Sequence, residues 1–337
     1  MTRAWTALVA GLMFSTATGT SAVAASLADF YRGKTVTIFV GVGVGGEYDL
    51  HARLVSRYIG NHIPGNPNVV VQNMPGGGGI KMANYLFSNA PPDGASLGII
   101  SNNFATVQTI GGKGVQFDVR KFQWIGAITP VVQTMAVWHT TGIKSINELR
   151  KRSVVAGASG RGAITYVFPA LLNEVLGTRF KIVTGYKGGN GVNLAMERGE
   201  VAARANTWSS WKTTRAQWLK EKKIIVVAQA GPRARDLDAP SVEALTKTPQ
   251  DRQLVDMVAS GMRLGRPLVT SPGLPSDRLA ALRAAYRATM NDPDFRKEAA
   301  KLKVDVDPVY GEQLQKIAAG VVGTPKEIVT RAKALME

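Results

Sequence analysis

Glycines and small hydroxyl side chains cluster where short β-type runs end, and that pattern suits anion binding better than catalysis. The run TIFV at residues 37–40 breaks into Gly41, Gly43, Gly45 and Gly46, then meets a helix-like stretch. A strand ending in glycines ahead of a helix leaves backbone N–H groups uncovered, and the helix dipole favours negative charge there. Gly41, Gly43 and Gly46 also fit G-x-G-x-x-G, the dinucleotide fingerprint. A dinucleotide site calls for an acid about 20 residues on, at the end of the next strand, to hold the ribose. The next strand, NVVVQN, ends in Gln72 and Asn73 instead. The anion reading survives; the nucleotide reading lacks its support.

Further glycine runs repeat the arrangement. PGGGG, Pro75 to Gly79, follows the second strand, and GASGRGAITY, Gly157 to Tyr166, follows SVVA. The latter offers the hydroxyls of Ser159 and Thr165, N–H groups around Gly160 and Gly162, and the fork of Arg161, which could take a carboxylate bidentately. A nucleophile elbow centred on Ser159 would need glycine at 161, where Arg161 stands, and none of His51, His62 and His139 sits in a partner motif. GYKGGNG, Gly185 to Gly191, and ANTWSSW, Ala205 to Trp211, complete the set. Trp208 and Trp211 suit packing, and near a cleft either could stack on a ligand. The chain has no cysteine, which excludes disulfides, thiol chemistry and thiolate zinc sites. No metal, cofactor or catalytic residue is expected.

Loops of this kind must be held by a sheet. Short β-type runs at 35–40, 69–72, 97–101, 153–156, 181–184 and 224–228 alternate with helical stretches at 50–60, 80–89, 146–151, 166–176, 192–198 and 211–221. Such alternation implies βαβ units and largely parallel sheets, with the loops gathered at the carboxyl edge where ligands bind. The last part, from Ser276, reads as helical. Clusters at 124–130 and 263–275 mark chain crossings between two lobes, giving residues 26–127 and 265–337 to one and 128–264 to the other.

Length and charge are consistent with that plan. The 337 residues suffice for two domains, and 45% are hydrophobic, enough for a sizeable core. Residues 1–25 read as an export leader: Arg3 as the positive end, Ala4 to Phe14 as the apolar stretch, Ala22-Val23-Ala24 as the cleavage site. Cleavage near Ala24 to Ser26 would release the mature chain outside the cytoplasm. The formal charge of +17 draws anions. Its basic residues are spread along the chain rather than gathered in one patch, so no nucleic-acid partner is expected.

Taken together, these motifs resemble the extracytoplasmic solute receptors of tripartite tricarboxylate transporters, the Bug or TctC-type family. The opening motif of that family, G-G-x-x-D followed by A-R-L, matches Gly45 to Asp49 and Ala52 to Leu54. Its E-N-R-P-G-A-G-G appears as Gln72 to Gly79, A-P-P-D-G is intact at Ala90 to Gly94, and the loops at 157–162 and 185–188 match two more segments. Glu47 and Tyr48 stand where small polar residues are usual, Met74 stands in place of arginine, and Ala163 and Ile164 follow a loop where Thr or Ser is common.

The resemblance implies a two-lobed Venus-flytrap α/β fold, each lobe a mostly parallel sheet flanked by helices, with a small organic carboxylate in the interlobe cleft. It implies a monomer that delivers a di- or tricarboxylate or an aromatic acid to membrane permease subunits. The loops carrying Gly45, Gly46, Glu47, Tyr48 and Asp49, and Ser159, Gly160, Arg161, Gly162, Ala163 and Thr165, should hold one carboxylate, with Asp49 also suited to capping the first helix. Gly188, Asn102, Asn103, Asn206 and Trp208 are candidates for the rest of the ligand, and Arg161 for a distal carboxylate. An exported nucleotide-dependent or hydrolytic enzyme, and a sensor that reports to a signalling partner, are the alternatives.

Overall fold

The computed structural model describes residues 27–234 and 236–335; the proposed leader lies outside the described residues. In chain order the strands are β1 (Thr35–Val40), β2 (Asn68–Asn73), β3 (Ser96–Ile99), β4 (Gln123–Ala127), β5 (Gln133–Trp138), β6 (Val154–Gly157), β7 (Phe180–Val183), β8 (Ala203–Thr207), β9 (Ile224–Ala230), β10 (Leu268–Thr270) and β11 (Val309–Tyr310). They form two sheets, ordered β11-β4-β10-β3-β1-β2 and β7-β6-β8-β5-β9. The chain passes from the first sheet to the second between β4 and β5, and returns between β9 and β10.

Both sheets are mixed. In the first, β2, β1 and β3 pair in parallel, while β10 lies antiparallel between β3 and β4, and β11 runs antiparallel on the far edge. In the second, β7, β6 and β8 are parallel and β5 runs antiparallel between β8 and β9. The returning chain explains β10: it re-enters from the second sheet against the direction of its neighbours and supplies only three residues.

Alternation along β1 divides the core. Val36, Ile38 and Val40 point to one face, where they meet Leu54, Val55 and Ile59 of the helix Glu47–Ile59 and Tyr286 of the helix Ser276–Asn291. Phe39 points to the other face, into a cluster with Met82, Leu86, Phe104 and Trp124. That cluster continues into the second sheet through Met135, Val137, Phe168 and Leu171, and the helix Pro249–Leu264 adds Leu254, Val255, Val258 and Met262. A smaller cluster packs Trp138 edge-on to Trp218, their rings 4.7 Å apart, with the fully buried Trp211 alongside.

The structure departs from the sequence expectation in several elements. The stretch 211–221 forms two short helices, Trp208–Thr214 and Ala216–Lys220, broken at Arg215. The segment 146–151 makes only a 3₁₀ turn at Glu148–Arg150. The helix Pro249–Leu264 went unforeseen because its polar N-terminal half, PQDRQ, hides the apolar face that follows.

Candidate functional site

A cavity of about 90 Å³ lies where strand ends from the two sheets meet. One water needs roughly 10–15 Å³ by this measure, so the space suits a small molecule. The first sheet contributes the segments after β1 (Gly41, Val42, Gly46, Glu47, Tyr48), the Gly78-Gly79 pair, and Ile99, Ser101 and Asn102 after β3. The second contributes Gln133 of β5, Ser159 and Ala163 to Thr165 after β6, Gly188-Gly189, and Arg204 to Thr207 of β8. Arg266, just before β10, closes the ring. These are largely the carboxyl ends of parallel strands, where an α/β sheet has room for a ligand.

Three helices begin at the cavity wall. Gly46, Ala163 and Gly188 are the N-caps of Glu47–Ile59, Ile164–Leu176 and Gly189–Glu197, and no side chain caps any of them. Their first-turn N–H groups and dipoles make the local field positive. Close backbone approach keeps the loops in place: a Cβ on Gly41 would fall 2.7 Å from the Gly79 Cα. Across the cleft, Asn103 Nδ2 donates to the Gly162 carbonyl at 2.7 Å, and Asn190 Nδ2 to the Val44 carbonyl at 3.3 Å.

Asp49 organises the first loop from beneath. One carboxylate oxygen accepts from the Gly45 N–H at 2.9 Å and from Arg53 Nε at 3.0 Å; the other accepts from Asn73 Nδ2 at 3.0 Å. Burial would raise its carboxyl, but these donors outweigh it and hold the group below its usual range. Gly45 adopts a left-handed backbone, φ 85°, which a side chain would strain.

The cavity also contains buried charge. Glu47 pairs with Arg266, and Thr207 Oγ1, at the end of β8, donates to the same carboxylate oxygen at 2.6 Å. Arg266 Nη2 donates to Thr207 Oγ1 at 2.7 Å, so the triad joins residues on both sheets. Burial opposes the Glu47 charge, yet the Arg266 guanidinium and the His51 ring prevail and keep its carboxyl depressed. His51 is pushed down chiefly by burial.

Arg204 is different: among the described residues it has no carboxylate in ion-pair reach. It is buried, bonds only the amide oxygens of Asn193 and, at 3.1 Å, Asn206, and its Nε has no partner. Burial, with Arg215 nearby, lowers its guanidinium to about 9. Asn206 Nδ2 and the Nε and Nη1 of Arg266 are likewise buried without acceptors. A donor-rich cavity whose two guanidinium groups share the single carboxylate of Glu47 is biased toward an anion.

The family model described as the tripartite tricarboxylate transporter family receptor matches residues 55–333. The chain belongs to that receptor family. A curated Agrobacterium vitis protein, described as a UPF0065 protein in the TAR-I ttuE-ttuC' intergenic region, is 30% identical over 166 residues; the match spans 48% of this chain and 47% of that one, about half of each. Among solved structures, the periplasmic binding protein BugD superposes with a TM-score of 0.73 at 20% identity, covering 90% of this chain and 98% of BugD. MatC from Rhodopseudomonas palustris, solved with bound malate, gives 0.68 at 21% identity, covering 90% of this chain and 99% of MatC. The two-lobed periplasmic binding protein fold is therefore that of this receptor.

Of the residues expected from sequence, Gly46, Glu47, Tyr48, Asn102, Ser159, Ala163, Thr165, Gly188 and Asn206 line the receptor's cavity. Others do not. Gly45 and Asp49 line a separate groove with Arg53, Lys212 and Lys303. Gly160 and Gly162 pack against the Gly77-Gly78 turn and Ile80, and Asn103 serves the interlobe bond. Arg161 is exposed, its guanidinium 5.5 Å from the centre of the Tyr166 ring, outside the cavity. Trp208 turns away as well, donating to Asp236 at 2.8 Å on the outer side. No histidine lines the cavity, and Ser159 Oγ lies 3.4 Å from Thr165 Oγ1.

Sequence reasoning missed Gln133, Arg204, Thr207 and Arg266. ARANT carried a signal in retrospect: a lone arginine among small residues, with Asn two positions on along the same strand face.

Proposed function

We propose that this receptor is exported to the periplasm, captures a small organic carboxylate in the cavity, and presents it to membrane permease subunits. The observation that carries the reading is Arg204, a buried cation with an unpartnered Nε and no carboxylate of its own beside three uncapped helix N-termini. An incoming carboxylate would neutralise the cation and accept from the first-turn N–H groups of those helices. Charge-assisted hydrogen bonds of roughly 1.5–3 kcal/mol each make micromolar affinity reachable with three or four contacts. The leader-like first 25 residues support export, and the family description supports delivery to a transporter. MatC, a neighbour in fold, was solved with malate, in keeping with a carboxylate ligand here. Capture and release need no catalytic group.

Thermal shift of the purified protein tests this reading. The panel is aliphatic mono-, di- and tricarboxylates, aromatic acids, amino acids and NAD. An acid at 100 times its Kd should add about 2.7 kcal/mol of stability, a rise of several degrees. Response to NAD with silence from every acid would replace the receptor reading with a nucleotide one.

A further inference from the structure

We propose that Asn103 is a positioning residue for ligand retention: it fastens the loop at 159–165 to the opposite lobe and so slows the release of a bound acid. The inference rests on the carboxylate reading and concerns how the cavity keeps what it captures. Asn103 directly precedes the helix Phe104–Thr109, yet its side chain does not cap that helix. It is 1% exposed, and both of its polar ends are engaged elsewhere. Nδ2 donates across the cleft to the Gly162 carbonyl at 2.7 Å, and Oδ1 accepts from Ser101 Oγ at 2.5 Å. The carbonyl can only accept, which fixes the amide this way round; turning it over would set oxygen against oxygen.

The loop needs such a fastening. Ser159, Ala163, Ile164 and Thr165 line the cavity, and Ala163 is the N-cap of the helix Ile164–Leu176, with no side-chain bond of its own to offer. Between Ser159 and Ala163, Gly160 and Gly162 have no side chain with which to hold a position. The first lobe also meets this loop through a glycine turn, where a Cβ on Gly78 would fall 3.2 Å from the Ala163 N and Cβ. Contacts between glycine backbones are individually small and undirected. The bond to Gly162 is directed, and it fixes the peptide just ahead of the cap.

Ser101 connects this bond to the cavity. It lines the wall, one hydrogen bond from Asn103 and two from Gly162. The first-turn N–H groups behind Ala163 hold an acid only while the loop keeps them in place, and a loop that swings away opens the cavity on that side. Association is governed by diffusion and charge, which Asn103 does not alter. Release requires the loop to part from the first lobe, a local opening that the Asn103 bond opposes. Its contribution therefore falls on the off-rate.

Stopped-flow binding and amide hydrogen exchange test the inference on two variants: Asn103→Leu, close in volume but without polar ends, and Asn103→Ser, too short to reach Gly162. Citrate, succinate, L-malate, propanoate, benzoate and L-glutamate are the probes, and rates are read with each one that binds. Either variant should release the acid about tenfold faster and bind it at a rate within about threefold of wild type. The Ser159 and Ala163 amides donate to Thr165 Oγ1 and the Gly160 carbonyl. Their exchange should quicken about tenfold in the ligand-free variants, while β1 keeps its wild-type protection. Unchanged release, or a slower on-rate that accounts for the whole loss of affinity, would overturn the inference and leave the receptor standing. So would faster release without faster loop exchange, or equal acceleration of exchange in β1, which would make Asn103 a support of the whole fold. Silence of the wild type toward every acid would remove the receptor reading and this inference together. If Asn103→Leu does not fold, Asn103→Ser decides alone.

Discussion

At the residue scale, the cavity separates two uses of buried arginine. Arg266 is compensated by Glu47 and contributes to the architecture between the sheets. Arg204 makes no ion pair of its own; burial and the nearby Arg215 outweigh the pull of the Glu47 carboxylate and lower its guanidinium to about 9. A charge kept in that state costs stability in the empty protein and is repaid on binding. Arg204→Gln should therefore weaken the tightest acid by about 100-fold, the loss of roughly 2.7 kcal/mol. The melting temperature of the ligand-free protein should stay level or rise, since the variant removes a buried charge. Calorimetry and thermal melts on the same preparation check both halves. A large fall in ligand-free stability would mean that Arg204 serves the fold through Asn193 and Asn206 rather than the ligand.

At the element scale, the strand–glycine–helix junctions do the positioning, and Asp49 shows how. It sits in the first turn of Glu47–Ile59 and draws the Gly45 N–H, Arg53 and Asn73 together, fixing the loop between β1 and its helix to the end of β2. Asp49→Ala removes the group that gathers these donors; with Gly45 and Arg53 exposed to water and Asn73 Nδ2 keeping the Val42 carbonyl, it should destabilise by about 1–2 kcal/mol, measured by chemical denaturation. A loss below about 0.5 kcal/mol would show that the loop holds without it.

Such junctions were legible because glycine runs after β-type runs are local signals, and the helices behind them carry 3.6-residue periodicity. What escaped is non-local. Glu47 and Arg266 are 219 positions apart, and only the return of the chain as β10 brings them together. Strands β5, β8 and β10 escaped too, one polar at its start, one rich in small residues, one three residues long. They bear or adjoin Gln133, Arg204, Thr207 and Arg266, so the buried arginines and their immediate neighbours went unread, while the loop residues and Asn102 and Asn206 did not. Arg161 misled for a related reason: an arginine inside a glycine loop has a plausible address in sequence, and only the structure shows it facing outward over Tyr166.

At the scale of the whole molecule, buried and paired ionisable groups tie stability to pH. Burial pushes His51 below its ordinary value of 6.5. Between those two values the unfolded chain binds a proton that the folded chain refuses, so stability falls as pH drops below about 6.5. The carboxylates work lower down. Glu47 is depressed against burial by Arg266, Asp251 by the hydrogen bond from Arg331, and Asp292 by that from His62. Each contributes fully above the ordinary carboxylate range and loses that contribution as pH falls through its lowered value. Protonating carboxylates also adds to a chain already at +17, so self-repulsion grows in the same direction. Melting temperature at constant ionic strength should therefore decline in two stages, shallowly from about pH 6.5 and steeply below about pH 4.5. His51→Gln should remove the shallow stage and keep the steep one. An unchanged slope between pH 5 and 6.5 in that variant would assign the first stage to a group other than His51.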